Sequence, residues 1–96
     1  MAEKLSNEAV QGWMRSRKGW KRRSNGLEKE YRFGSFRDAI VFVNRVATLA
    51  DEHHHHPDID VRYDRVTLRL TTHDAGGITQ KDVKLAEHID FATSAG

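Results

Sequence analysis

The stretch Asp51–Leu70 reads DEHHHHPDIDVRYDRVTLRL. Its hydrophobic period switches there from helix to strand, and that switch decides the fold. Pro57 disfavours helical geometry at His56, so a helix entering the stretch must end within the histidine run. Beyond the proline, Ile59-Asp60-Val61-Arg62-Tyr63 and Val66-Thr67-Leu68-Arg69-Leu70 both alternate apolar and polar, as half-buried strands do. A two-residue turn at Asp64-Arg65 predicts Tyr63 opposite Val66, Val61 opposite Leu68 and Ile59 opposite Leu70 on one face. Asp60 then meets Arg69 on the other. A slip by one residue would set apolar against polar. Extended past Pro57, the same register sets His56 opposite His73 and His55 opposite Asp74.

Upstream, Ser35 or Gly34 opens a long helix that is expected to reach about Asp51. Phe36, Ile40, Val43, Ala47 and Ala50 form one stripe at steps of three and four. Ala39, Phe42, Val46 and Leu49 form a second, adjoining one. One stripe suffices to cover a sheet; two suggest that another subunit covers the remainder, in preference to a wholly buried helix in a monomer. Earlier still, Asn25-Gly26 is a strong type I′ turn signal. It predicts Trp20 opposite Tyr31, Lys21 opposite Glu30 and Arg23 opposite Glu28. Leu5-Ser6-Asn7-Glu8-Ala9-Val10 reads as a helix start, with Ser6 as cap and Leu5 and Val10 as a hydrophobic staple, the helix ending before Gly19. Downstream, Ala75-Gly76-Gly77 is a loop. Thr79 caps a last helix running to about Asp90, with Asp82 closing a capping box and Val83, Leu85, Ala86 and Ile89 turned inward. The order predicts an α+β fold: a two-layer sandwich with a four-stranded antiparallel sheet (ββαββα), helices on one face and a short N-terminal helix. Residues 1–96 read as a single domain.

Ninety-six residues bury only a thin core, so association would help the chain. There is no cysteine, hence no disulfide frame and no thiolate nucleophile. No apolar run reaches membrane-span length, and no secretory h-region opens the sequence. A soluble, cytoplasmic protein is expected, without a membrane partner. Net charge is +2, with Arg15, Arg17, Lys18, Lys21, Arg22 and Arg23 clustered. This cluster reads as a solvated face partly paired with Glu28 and Glu30, in preference to a nucleic-acid patch.

The four imidazoles of His53–His56 admit several chemistries. They suit a neutral-imidazole metal site, a solvated helix end facing the helix dipole, or a general acid–base centre. An expression tag is a further reading, though tags sit at chain ends. The expected approach of His73 favours a site. No His-Glu-x-x-His spacing supports a metal.

The spacing also carries a resemblance. Asp51, three residues, His55-His56-Pro57, five residues, Tyr63, nine residues, His73, eight residues and Asp82 is similar to the signature of the pterin-4a-carbinolamine dehydratases. Lys18-Gly19-Trp20, Phe33 with Phe36, Arg45-Val46-Ala47, Thr72-His73-Asp74 and Gly76-Gly77 agree with it, so the likeness spans about Gly19 to Ile89. It implies loss of water from 4a-hydroxytetrahydropterin to give quinonoid dihydropterin, recycling the cofactor of aromatic amino-acid hydroxylases. Pterin is the substrate; no metal or other cofactor is implied. His55, His56 and His73 become the candidate catalytic residues. His55 and His73 match the family's acid–base pair, and His56 a histidine assigned mainly to substrate binding. Asp51 and Asp82 match acidic positions lining the pocket, alongside their plainer readings as a helix end and a capping carboxylate. Ile59 departs from the family, whose members often carry an aromatic there; His53 and His54 lie outside the signature. The resemblance implies a homodimer or homotetramer. It also offers an alternative: animal members act as dimerisation cofactors of a homeodomain transcription factor through the long helix.

Overall fold

The computed structural model describes residues 3–95. Its elements follow the expected order: α1 (Asn7–Arg15), β1 (Lys21–Arg23), β2 (Gly26–Arg32), α2 (Phe36–His53), β3 (Asp58–Arg62), β4 (Arg65–Leu70) and α3 (Gln80–Ala95). The strands form one antiparallel sheet in the order β1-β2-β4-β3. One face of its two central strands presents Leu27, Tyr31, Val66, Leu68 and Leu70, all buried. All three helices cover it: Val10 from α1, Ala39, Phe42 and Val46 from α2, and Val83, Leu85, Ala86 and Ile89 from α3 join the same apolar cluster. The opposite face is charged. Glu28, Arg69 and Asp58 stand abreast across three strands, as do Arg32, Arg65 and Arg62.

Local signals set the helix starts. Ser6 and Ser35 accept from the amides of Ala9 and Asp38, satisfying donors that the first turn leaves free. α2 stops at His53 because His54 adopts a left-handed backbone, φ 51°, whose amide returns to Ala50 and Asp51. That is a C-terminal cap of the kind glycine usually fills. His54→Gly should therefore stabilise. A left-handed non-glycine residue costs about 1–2 kcal/mol, and glycine returns about 0.5–1 kcal/mol of that as unfolded-state entropy. The expected net gain, about 0.5–1 kcal/mol, is read as a higher urea midpoint at unchanged slope.

Both hairpins are offset by two residues from the predicted register. β1 and β2 pair Lys21 with Glu28 and Arg23 with Gly26, so Ser24-Asn25 make the turn and Ser24 takes the positive φ, 54°. The cause lies in β4. Arg69 donates to the Asn25 side chain and the Arg23 carbonyl, and Thr71 donates to the Asn25 carbonyl at 2.7 Å. Gly26 is drawn into the ladder, where a Cβ would stand 2.9 Å from Arg69 and 3.0 Å from the Leu70 carbonyl. The glycine serves close strand packing, not turn geometry. Trp20 and Tyr31 still touch edge to face, and Arg23 still meets Glu28, at 3.5 Å. β3 and β4 pair Ile59 with Leu68 and Val61 with Val66, around a turn at Tyr63-Asp64. Tyr63 leaves the ladder at φ 56° and stacks on Phe36, and the Asp64 carbonyl accepts from Phe33.

One further expectation is corrected. α3 continues five residues past Asp90. In α2, Ala39, Phe42 and Val46 of one stripe are buried and Leu49 is half-buried; in the other, Ala50 is buried, Ile40 and Val43 are half-buried, and Phe36 and Ala47 are exposed. Of the basic cluster, Arg17 pairs with Glu87 of α3 at 3.1 Å rather than with the hairpin. Among the described residues no helix is long and apolar enough to cross a membrane.

Candidate active site

The two-residue offset removes the pairing on which the histidine geometry rested. The β3–β4 ladder ends at Asp58 opposite Arg69, so His56 does not stand opposite His73, nor His55 opposite Asp74. The segments meet by another route, through Asp82.

Asp82 lies in the first turn of α3 and is fully buried. One oxygen closes the capping box by accepting from the Thr79 amide at 2.9 Å, while the Thr79 hydroxyl accepts from Lys81. The same oxygen takes the Thr72 hydroxyl at 2.9 Å. The Thr79 hydroxyl donates in turn to Thr72, at 2.8 Å. The other oxygen meets His55 Nε2 at 2.5 Å. An ionised carboxylate only accepts, so the His55 proton toward it sits on Nε2, and Nδ1 of the neutral ring is left as the acceptor. This is the arrangement by which a buried carboxylate fixes the tautomer and orientation of a working imidazole.

His56 is built differently. Its Nε2 lies 2.9 Å from Asp51 Oδ1, but the two side chains are 65% and 77% exposed. Such a pair is held weakly and yields readily to a ligand. His73 opens a 3-10 turn, His73–Ala75, that Gly76 closes at φ 74°. Its ring is exposed and makes no hydrogen bond among the described residues. Its place is set by Thr72, whose backbone bridges to Gly77 and whose hydroxyl holds Asp82. His55 and the residue preceding His73 thus share one carboxylate. Tyr63, the aromatic of the signature, stands at the far end of the sheet against Phe36.

Each of the two adjacent histidines therefore has its own carboxylate, one buried and one in solvent. Sequence reading gave Asp82 as a cap and, through the resemblance, as a pocket-lining carboxylate, but did not assign its bond to His55 or the hydroxyls of Thr72 and Thr79. The Thr79-x-x-Asp82 box was the available signal, since a carboxylate turned back to its cap has one oxygen to spare.

A family profile described as "Pterin 4 alpha carbinolamine dehydratase" matches residues 3–92. The chain belongs to this family. The family is one of dehydratases, and the enzyme class follows with membership. A Roseiflexus sp. (strain RS-1) relative is 50% identical over 90 residues, covering 94% of this chain and 97% of its own. One from Mycolicibacterium smegmatis is 48% identical over 86 residues, covering 90% and 92%. Both carry the provisional name of pterin-4-alpha-carbinolamine dehydratase. Among solved structures, a transcriptional coactivator/pterin dehydratase from Brucella melitensis superposes with a TM-score of 0.88 at 27% identity, covering 92% of this chain and 96% of that one. A pterin dehydratase-like RuBisCO assembly factor of the alpha-carboxysome, at TM-score 0.61 and 24% identity over 74% and 82% of the two chains, speaks for the fold alone.

Proposed function

We propose that this dehydratase removes water from 4a-hydroxytetrahydropterin by histidine acid–base catalysis, with pterin as substrate and no separate cofactor. The observation that carries the reading is the His55–Asp82 pair beside the Thr72–His73 corner, in a chain of this family. Dehydration needs a proton delivered to the departing 4a-hydroxyl and one taken from a pterin nitrogen. His55, held through Nε2, works through Nδ1. His73, without a hydrogen bond among the described residues, is the partner of opposite protonation. Exposed His56 and Asp51 supply hydrogen-bonding groups for the pterin, and Asp82 acts through His55. The reading places the protein in the cytoplasm, recycling tetrahydropterin for an aromatic amino-acid hydroxylase.

The test is the decay of freshly generated 4a-carbinolamine, followed by absorbance. Wild type should accelerate it. His55→Ala and His73→Ala should each lose about a hundred- to ten-thousand-fold of that acceleration. His56→Ala should act mainly on KM. No acceleration by wild type above the spontaneous rate would remove the enzymatic reading.

A second reading, assembly, is favoured by the uncovered stripe of α2. Phe36 of that stripe is 50% exposed; elsewhere on α2 Val41 is 57% exposed, and Ile59 on the edge strand is 38% exposed. Light scattering should show a dimer or tetramer; a monomer at high concentration would count against this surface as an interface.

A further inference from the structure

His53 and His88 lie outside the acid–base site and outside the family signature. They come from different elements, the last turn of α2 and the middle of α3, yet their ring centroids are 4.6 Å apart with planes at 63°. Each ring is tied to its own helix by Nδ1: His53 to the Leu49 carbonyl at 2.9 Å, and His88 to the Lys84 carbonyl at 2.8 Å. A carbonyl only accepts, so both Nδ1 atoms carry the proton, and both neutral rings hold their lone pair on Nε2. Ligating histidines are usually fixed in this way, the second nitrogen donating to a carbonyl or carboxylate. Two imidazoles bound at a right angle to one ion hold their centroids about 4.5 Å apart, given ion–nitrogen bonds of about 2.0–2.1 Å. The observed separation fits.

We propose that His53 and His88 form a two-imidazole site for a divalent transition ion of the Ni2+, Cu2+ and Zn2+ class, bridging α2 and α3. The described residues gather no group of three or more His, Asp or Glu suited to a metal, so water completes the shell. The site is thus an exchangeable one, without the closed shell of a structural metal. An ion there joins the end of α2, two residues before His55, to α3, which carries Asp82 six residues before His88.

Ni2+ is the probe, because its octahedral geometry offers the right angle. Proton signals of the histidine rings are followed as Ni2+ is added to the intact protein. Those of His53 and His88 should broaden first. Calorimetry should show binding weakened roughly ten- to hundred-fold or more in His88→Ala and in His53→Ala, and unchanged in His54→Ala. Undiminished binding by His88→Ala would overturn the proposal, as would broadening that begins at His55, His56 and His73. Neither readout depends on turnover.

Discussion

Replacing Asp82 with asparagine is expected to leave a folded protein whose kcat falls by about a hundred- to ten-thousand-fold. Two donors, the Thr79 amide and the Thr72 hydroxyl, converge on one oxygen of Asp82. An asparagine at this position keeps its single carbonyl oxygen there and turns its NH2 toward His55. A donor then faces Nε2, so the ring must accept through Nε2 and carry its proton on Nδ1. The nitrogen assigned to catalysis is blocked in the neutral state. Where a carboxylate orients a catalytic histidine, the amide replacement costs up to about ten-thousand-fold through the same tautomer error. The stability loss is smaller, about 1–3 kcal/mol for imperfectly paired buried groups. Nitrogen NMR of His55 reads the tautomer directly, beside kcat and the urea midpoint. A flipped tautomer with unchanged kcat would remove His55 Nδ1 from the mechanism.

Asp90→Ala should produce the largest loss of stability. Asp90, on α3, accepts from Trp20 Nε1 at 2.7 Å, Lys29 Nζ at 2.9 Å and Tyr31 Oη at 2.7 Å. It is the meeting point of α3, the central strand β2 and the residue leading into β1. Lys29 and Asp90 are only 19% and 20% exposed. Removing the carboxylate leaves a partly buried ammonium without its anion, at a cost of about 3–5 kcal/mol for a pair of this kind. A domain is stable by only about 5–15 kcal/mol, so Asp90→Ala should be close to unfolding at 37 °C. Lys29→Met should cost less, because Asp90 keeps two donors. The reverse order in chemical denaturation would refute the hub. Burial, with the hydrogen bond and charge of Asp90 adding to it, pushes the Tyr31 hydroxyl far above its ordinary 10.0. The sign follows: this contribution is complete below pH 10 and is lost as pH rises above it, when the unfolded chain ionises first. Wild type should therefore weaken in alkali above about pH 10, and Tyr31→Phe should flatten that slope.

Much of this was legible in the sequence. The serine caps, the apolar stripes, the stop within the histidine run and the alternation of β3 and β4 each rest on local chemistry, and each element formed. Strand faces were legible too, because alternation has a period of two. For that same reason register was not: a slip of two residues keeps every side chain on its face. Both hairpins took that slip, one drawn by Arg69 and Thr71 onto Asn25, the other by Phe36 onto Tyr63. The site suffered most, since pairing His56 with His73 depended on register alone. Asp90 escaped notice because its three donors lie some sixty to seventy positions away.

Asp82 starts a helix and grips an imidazole with the same carboxylate. Site assembly and helix nucleation are then one event rather than two. Fraying of the first turn of α3 releases His55, and a ligand that seats His55 tightens α3. The amide of Thr79, sealed by Asp82, exchanges with solvent only when the site comes apart. Its exchange rate is a clock for the opening of the site, readable without substrate.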